Sequence, residues 1–432
     1  MPDGNNPFIN TDTLDEALLD VATLIELSPR DRQVADNRYR RLKEHLERPK
    51  SLLAPHLTEG SSLIYAQGSV AISTTIVSGT DDDRFDVDAV VEMDVPLHWN
   101  DAAVLDTLEE SLQAFPGVDD IVRCTRCVQL QFPFMHMDVT ILDRRQRLAI
   151  ERAGQIFHSP DQGAAYRVDS NPWGFTKWFR GRVGVGDKDQ LMFYERLAKH
   201  RAAASRDRLQ YLDDGERLLL KRADQHPLPP MIPAAIDAQE AIALKLLKRN
   251  LNLRYEKSTL PRPPSIYLTK RAGDVGYVGA GLSAQLYQLA SSTAKIMRHH
   301  IERGTRPQET NPSYRQDIIN DRWPRAGAAG VADMKGLAEA LEHLAARVAA
   351  MNQASLAEIA KEIDELFGER IGRQQRAITA QRHDRRNQQG PVLLQPRTGG
   401  IVAPAIAAAP ERMREAPRHN FHPMLLDGKK DG

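Results

Sequence analysis

Residues 67–88 contain the side chains that phosphate and metal chemistry require. Gly68 lets backbone amides approach an anion closely. The small residues from Ser69 onward could open a helix, whose N-terminus favours phosphate. Asp86 and Asp88 project to the same face if they lie on a strand, and paired carboxylates suit a hard divalent cation. We therefore predict phosphate binding at one end of this stretch and metal binding at the other.

Asp138 is a candidate third carboxylate for the same site. It lies in residues 132–142 (FPFMHMDVTIL), an otherwise apolar, strand-like run, where an unpaired carboxylate is costly. Three acids beside a Gly-Ser turn suit phosphoryl transfer, in which two cations clamp the attacking and leaving oxygens. An Asp-x-Asp pair alone is a weak signal, because such pairs are common in solvated loops and caps, but the combination favours a catalytic site.

The composition argues against several classes of protein. The 432 residues include 58 Lys and Arg and 58 Asp and Glu, so the formal charge is zero. This balance disfavours a protein that coats nucleic acid, and no stable nucleic-acid partner is expected. No apolar run is long enough to span a membrane, and residues 1–12 lack the regions of a signal peptide. The protein is predicted to be cytoplasmic, without a membrane partner.

The two cysteines, Cys124 and Cys127, are spaced as CTRC within a predicted strand over residues 121–132. A single CxxC cannot close a four-ligand zinc site unless histidines join it. Residues three apart on a strand also face opposite ways. Both cysteines are therefore predicted to be free, partly buried thiols.

The elements predicted around the candidate acids form a mixed α/β arrangement. Two N-terminal helices, at 11–27 and 29–48, precede strands at 63–66, 89–92, 121–131 and 134–142, with a helix at 101–114. This order predicts a mixed sheet with helices on it. Residues 149–170 read as irregular. Residues 171–182 (NPWGFTKWFRGR) suggest a capping helix packed into the core or, alternatively, a surface that stacks a base and holds phosphate.

The second half of the chain is predicted to be helical. A long charged helix over 187–223 ends at a proline-rich junction, and further helices are predicted at 234–253, 265–270, 282–302, 331–351 and 356–367. Residues 311–324 read as a turn followed by a short helix, with Asp317 and Asp321 as caps or salt-bridge partners. The predicted regions are a catalytic lobe with N-terminal helices (1–225), a helical lobe (226–368) and a mobile tail (369–432).

Lys248 and Ser265 each lie where a predicted helix could face the first lobe. A lysine in that position could reach the outer phosphates of a bound triphosphate. The alternative for Lys248 is a solvated lysine on the polar face of an amphipathic helix.

Seven segments together resemble the CD-NTases, bacterial relatives of animal cyclic GMP-AMP synthase that make cyclic oligonucleotide messengers in antiphage (CBASS) operons. They follow one another in the family's order. They are QGS from Gln67, DVD from Asp86, MDVTILD around Asp138, NPWGFTKWF from Asn171, LLKR from Leu246, PPSIYLT from Pro263 and NPSYRQDIINDRWP from Asn311. The first two belong to the whole polymerase-beta-like superfamily, and the later segments make the resemblance more specific.

The resemblance implies a bilobed α/β (α+β) fold, with a polymerase-beta-like nucleotidyltransferase core and a C-terminal helical bundle like that of oligoadenylate synthases. It implies that two Mg²⁺ (or Mn²⁺) ions and two nucleoside triphosphates bind between the lobes. The triphosphates would be joined and then cyclised, with release of pyrophosphate. The implied site residues are the metal ligands Asp86, Asp88 and Asp138, the phosphate-binding Gln67, Gly68 and Ser69, and the triphosphate-binding Lys248 and Ser265. An acidic loop at 78–84 (SGTDDDR) departs from the family pattern.

The resemblance also implies partners. The product would act on a downstream effector, and operon-encoded proteins could activate the enzyme or conjugate its C-terminal residue to a target. Gly432, at the end of the predicted tail, is the candidate conjugation site.

Two other functions remain open from the sequence. One is a linear nucleotidyltransferase that extends RNA, which the neutral charge disfavours because such an enzyme needs a basic surface. The other is a catalytically silent module that binds nucleotide or RNA. The presence of all three carboxylates argues against a catalytically silent module, because like charges that converge on one site are destabilising without a metal.

Overall fold

The computed structural model describes residues 12–57, 62–77, 84–144, 149–184, 188–208, 237–388, 393–394, 401–402 and 414–415. The chain divides into two units, Met1–Gln375 and Arg376–Gly432. The second unit contains a small sheet of three two-residue strands, Leu393–Leu394, Ile401–Val402 and Arg414–Glu415. All candidate site residues belong to the first unit except Gly432, which lies outside the described residues.

The first unit contains a seven-stranded mixed sheet. The sequence predicts a mixed sheet here, but with fewer strands. Its strands are β1 Leu63–Gln67, β2 Phe85–Met93, β3 Asp120–Arg123, β4 Val128–Phe132, β5 Met135–Asp143, β6 Gly154–His158 and β7 Tyr166–Ser170. The order is β1-β2-β5-β4-β3, with β6 paired to β5 and β7. β2 and β5 are parallel neighbours in the interior of the sheet. Both are apolar over most of their length because an interior strand is buried on both faces.

Twelve helices are described. They are α1 Asp12–Ile25, α2 Pro29–Glu47, α3 Gly68–Ala71, α4 Asp101–Leu112, α5 Pro172–Arg182, α6 Lys188–Arg208, α7 Gln239–Glu256, α8 Ser265–Val275, α9 Leu282–Glu302, α10 Gly327–Met351, α11 Leu356–Phe367 and α12 Glu369–Gln388. The local sequence explains where several of these helices begin. Ser28, for example, caps α2 in a capping box with Asp31. Within the described parts of the chain, no helix combines the length and apolarity needed to cross a membrane.

α7 is the central helix of the helical half and packs against α1, α8, α9, α10 and α11. The sequence predicts an amphipathic helix, but residues 239–251 are buried on every face. The prediction of a polar face is wrong because the basic side chains are buried and make ion pairs and hydrogen bonds inside the protein. Lys245 Nζ lies 2.6 Å from Glu26 Oε1, and Arg249 donates to the carbonyl oxygens of Phe367 and Val77 at 3.1 and 3.4 Å.

The structure corrects three predictions of secondary structure. The predicted strand over 121–132 is a hairpin, in which β3 and β4 are joined by a turn closed by the Cys124 N–H bond to Cys127 O at 2.9 Å. Residues 149–170 are not irregular, because β6 and β7 pair there and extend the sheet. Residues 310–318 form two strands, β8 Thr310–Asn311 and β9 Tyr314–Ile318, rather than a helix.

The tight β8–β9 turn has a local cause. Asn311 Oδ1 accepts a hydrogen bond from Ser313 N at 3.0 Å, which is the Asx turn that an asparagine before proline favours. Asp317 on β9 accepts from Asn171 N at 2.9 Å and from Asn311 Nδ2 at 2.8 Å. It therefore joins β9 to the start of α5 by hydrogen bonds, and its predicted role as a cap or salt-bridge partner is not confirmed. Asp321 forms an ion pair with Arg126, as the sequence predicts.

The first part of the predicted tail is helical, because α12 runs from Glu369 to Gln388. The bounds of the three predicted regions stay predictions. The free, half-buried state of both cysteines is confirmed.

Candidate active site

Asp86, Asp88 and Asp138 lie on one face of the two interior parallel strands. Asp88 on β2 is in register with Asp138 on β5, and Asp86 is in register with His136. Because side chains two residues apart on a strand point the same way, the register places all three acids on the same side of the sheet. The structure thus places the three carboxylates that the sequence singles out on one face of the sheet.

The carboxylates influence one another electrostatically. The pKa of Asp88 is raised to about 7. Burial is the largest cause, the charges of Asp138 and Asp86 act in the same direction, and the charge of Lys248 opposes them. Burial also raises the pKa of Asp138. A site that makes ionisation of its acids costly is one that a cation would stabilise, and carboxylate oxygens are the donors that Mg²⁺ prefers. The donor set therefore fits a divalent metal.

Asp86 is the outer member of this group. Its side chain is 63% exposed, and its Oδ1 lies 3.6 Å from His136 Nδ1. Among the residues that the structure describes, no three acidic, His or Cys side chains stand close enough to share one ion. The arrangement is thus a shared face of carboxylates, with Asp86 turned toward His136.

Gly68 lies directly against Asp88. β1 ends at Gln67, which pairs opposite Asp88 in the antiparallel register. Gly68 then turns the chain with a φ of +61°, and a Cβ at this position would lie 2.2 Å from Asp88 Oδ2. Only glycine fits both the backbone conformation and the space. The turn therefore holds the predicted phosphate-binding residues next to the predicted metal ligands.

Ser69 is fixed within the segment that follows the turn. Its carbonyl oxygen accepts from Thr74 N at 2.8 Å, and its Oγ accepts from Thr75 Oγ1 at 3.0 Å. The predicted helix after the Gly-Ser pair is present but consists of a single turn, α3. Tyr39 OH supports the neighbouring strand by donating to Asp88 O at 2.7 Å.

Lys248 on α7 reaches this segment from the helical half. Its Nζ donates to Thr74 Oγ1 at 3.2 Å and to Thr74 O at 3.4 Å. The residue is 6% exposed, so the alternative of a solvated surface lysine is wrong. The pKa of Lys248 is lowered to about 7. Burial is the largest cause, and the charge of Asp88 acts in the opposite direction.

Ser265 is the first residue of α8 and is exposed. α8 packs against α3 and α5, which places Ser265 on a helix that adjoins the Gly-Ser turn. α5 takes up the core role predicted for it, since Phe175 and Phe179 are buried. The acidic loop at 78–83 lies outside the described residues.

Sequence reasoning missed several residues that contact the site. Gln129 on β4 donates to Asp138 Oδ1 at 2.8 Å, and Thr74 and Tyr39 make the bonds given above. The alternation of β4, VQLQF, was an available signal, because it places two amides on one face of the strand. The bond from Tyr39 to Asp88 spans 49 residues of sequence, and the bond from Lys248 to Thr74 spans 174. No local sequence pattern predicts contacts at these separations.

No protein-family model matches the chain. The chain is 31% identical over 326 residues, 74% of its length, to the cyclic dinucleotide synthase CdnG of Bradyrhizobium diazoefficiens, of which it covers 72%. The solved structure of the CD-NTase CdnG from that organism, in complex with GTP, superposes with a TM-score of 0.69 at 29% identity, covering 85% of this chain and 100% of that one. Escherichia coli MS115-1 CdnC with ATP shares the fold, with a TM-score of 0.51 at 13% identity over 82% of this chain and 97% of that one. The chain has the polymerase-beta-like nucleotidyltransferase fold and belongs to the CD-NTase family.

Proposed function

We propose that this chain is a metal-dependent nucleotidyltransferase that joins nucleoside triphosphates into a cyclic di- or trinucleotide messenger of bacterial antiphage (CBASS) defence. The observation that carries the proposal is the in-register pair Asp88 and Asp138 beside Gly68, with Asp86 on the same face. The similarity to a cyclic dinucleotide synthase supports it. Because a solved relative is bound to GTP, GTP is the first substrate to test.

Asp86, Asp88 and Asp138 would hold Mg²⁺ or Mn²⁺. When bound, two such ions supply positive charge that stabilises the attacking and leaving oxygens of an in-line displacement. Binding is expected to draw the Asp86 carboxylate away from His136. It is also expected to favour the ionised form of Asp88, whose pKa is raised to about 7 by burial and by the neighbouring acids.

The chain's own residues bind and orient the triphosphate. Gly68 keeps the backbone of the turn close to Asp88, so phosphates held by Gln67, Gly68 and Ser69 would lie beside the acidic face. Lys248 supports the segment behind that turn through Thr74. Ser265 would contact the triphosphate from the start of α8. Catalysis is then mainly positioning and charge stabilisation, as in other phosphoryl transfers.

The reaction forms one bond and breaks one bond in each round. The 3′ or 2′ hydroxyl of one nucleotide bonds to the α-phosphorus of the other and loses its proton, and the bond to the β-phosphate breaks with release of pyrophosphate. A further displacement within the linear product closes the ring. The site would lie between a catalytic lobe (1–225) and a helical lobe (226–368).

The implied protein partners also remain proposals. They are a downstream effector of the product and operon-encoded proteins that activate the enzyme or conjugate it through Gly432. Co-expression with the neighbouring genes, followed by a search for an adduct that depends on Gly432, tests conjugation.

The proposed reaction is tested by incubating full-length protein with the four nucleoside triphosphates and Mg²⁺ or Mn²⁺. The products are treated with phosphatase and identified by mass spectrometry. We expect a phosphatase-resistant cyclic product that contains guanine and is absent from the Asp86→Asn/Asp88→Asn variant. A ladder of linear products would support an RNA-extending enzyme instead. Tight nucleotide binding without product, even with the operon's partner proteins, would support a silent module.

A further inference from the structure

Two glutamines on β4 lie beside Asp138. Gln129 and Gln131 are two residues apart on the strand and therefore point to the same face. In the antiparallel register, Gln129 is opposite Asp138 and Gln131 is opposite His136. Side chains directly opposed across two strands interact, so β4 presents two amides to the face that holds the carboxylates.

The two amides form a chain of hydrogen bonds that ends on Asp138. Gln131 Nε2 donates to Gln129 Oε1 at 3.0 Å, and Gln129 Nε2 donates to Asp138 Oδ1 at 2.8 Å. Because the first bond occupies the oxygen of Gln129, the NH₂ group of Gln129 faces the carboxylate. The reversed amide would place its oxygen against a carboxylate oxygen and lose both bonds.

We propose that Gln129 is a positioning residue for metal binding by Asp138, and that Gln131 orients Gln129. By holding Oδ1, the pair fixes the carboxylate in one orientation before the cation arrives. This inference rests on the metal site of the proposed function. Hydrogen-bond partners of metal-binding carboxylates change metal affinity or activity by roughly 10–100-fold when removed.

The test uses Gln129→Met in the full-length protein, because methionine keeps the length of the side chain and removes the donor. Mn²⁺ alone is titrated and its free concentration is followed by electron paramagnetic resonance. We expect Mn²⁺ affinity to fall about 10–100-fold relative to the wild type. Wild-type affinity in a folded Gln129→Met protein overturns the proposal.

Gln155→Met is the matched control. Gln155 Nε2 on β6 donates to Asp169 Oδ1 on β7 at 3.2 Å, and the two residues are also directly opposite in an antiparallel register. This variant loses the same type of bond in the same sheet. Its Mn²⁺ affinity is expected to equal that of the wild type, and an equal loss in both variants would overturn a specific role for Gln129.

A double-mutant cycle tests whether Gln131 acts through the hydrogen-bond chain from Gln131 to Gln129 to Asp138 or through packing. Gln131→Met alone should weaken Mn²⁺ binding less than Gln129→Met does, and it should add nothing in the Gln129→Met background, because Gln131 acts only through Gln129. Fully additive losses of Mn²⁺ affinity in the double variant would show that Gln131 does not act through Gln129. If Gln129→Met fails to fold, a loss of affinity in Gln131→Met supports the proposal, and unchanged affinity in that variant overturns it.

Metal binding also distinguishes this inference from the proposed function. If the wild type binds Mn²⁺ through Asp88 and Gln129→Met weakens that binding, the positioning role stands even when no cyclic product forms. If Asp88→Asn leaves Mn²⁺ affinity unchanged, the metal does not bind at these carboxylates. The positioning role then falls, whatever product the protein makes.

Discussion

Lys248 is a buried lysine that bonds to Thr74, in the segment after the Gly-Ser turn. Burial lowers its pKa to about 7, and the charge of Asp88 counteracts this effect. A bound triphosphate would add negative charge nearby and favour the protonated amine. Lys248 is therefore expected to contribute more to nucleotide binding than to the stability of the fold.

We predict that Lys248→Met raises the KM for GTP by roughly tenfold or more, the loss expected for one hydrogen bond to a charged group. The melting temperature should change little, because the variant also removes a buried charge. Steady-state kinetics and thermal denaturation measure the two effects. Lys335→Met on α10 is the control, because that lysine is exposed. An unchanged KM in the Lys248 variant would contradict a role in triphosphate binding.

At the scale of elements, the β1–α3 turn depends on the absence of a side chain at Gly68. We predict that Gly68→Ala lowers turnover on the order of 100-fold, because the new Cβ must displace the Asp88 carboxylate. Gly117→Ala is a matched control, since Gly117 has a similar φ of +76° but open space around its Cβ position. Both variants should lose about 1–2 kcal/mol of stability from backbone strain, but only Gly68→Ala should lose activity. Equal activity in the two variants would show that the turn does not constrain Asp88.

α1 and α6 are joined by a buried histidine between two acids. His200 Nδ1 lies 2.6 Å from Asp20 Oδ1, and His200 Nε2 lies 2.7 Å from Glu16 Oε2. Burial lowers the pKa of His200, but the bonds and charges of Asp20 and Glu16 outweigh it, so the pKa is raised above 6.5. For Glu16, burial raises the pKa, and His200 and Arg196 together lower it to about 2.

The signs of these shifts define a pH window. The contribution of His200 is complete below its ordinary pKa of 6.5 and is lost as the pH rises through its raised pKa in the folded protein. The contribution of Glu16 is complete above its ordinary pKa of 4.5 and is lost as the pH falls toward 2. The contact is therefore expected to stabilise the protein most between pH 4.5 and 6.5.

We predict that His200→Gln lowers the free energy of unfolding by about 3 kcal/mol at pH 6, because it removes the positive charge that lies beside the buried carboxylate of Asp20, and by less at pH 9. Chemical denaturation at the two pH values measures this difference. Arg298→Gln, which breaks an exposed ion pair with Glu342, should cost less than about 1 kcal/mol at either pH. A loss in His200→Gln that does not change with pH would contradict the assigned charge state.

The elements that the sequence predicts correctly are those with a local signal. β2 and β5 carry long apolar runs, and α2 begins at a capping box. The β3–β4 hairpin was missed because its turn, CTRC, has no Gly, Pro or Asn. β6 and β7 were missed because they extend the sheet through tertiary pairing with β5, which no short window of sequence reveals.

At the scale of the whole molecule, α7 links the later helices to α1 and to the segment after the Gly-Ser turn. Lys245 binds Glu26 at the end of α1, and Lys248 binds Thr74 beside the turn. The sequence marks these residues as basic but cannot show their partners, which are 219 and 174 residues away. The spacing of Asp86 and Asp88, in contrast, predicts that these two acids share a face of one strand. The position of Asp138 opposite Asp88 depends on the register of β2 and β5, which the sequence does not show.

The most direct test of the account is a crystal structure of the full-length protein with Mn²⁺ and a non-hydrolysable GTP analogue, in which anomalous diffraction locates the metal. The account predicts two Mn²⁺ ions bound by Asp86, Asp88 and Asp138, with the Asp86 carboxylate turned away from His136 and the triphosphate against Gly68 and Ser69. The nucleotide bound elsewhere, or Mn²⁺ sites that do not involve these carboxylates, would contradict it.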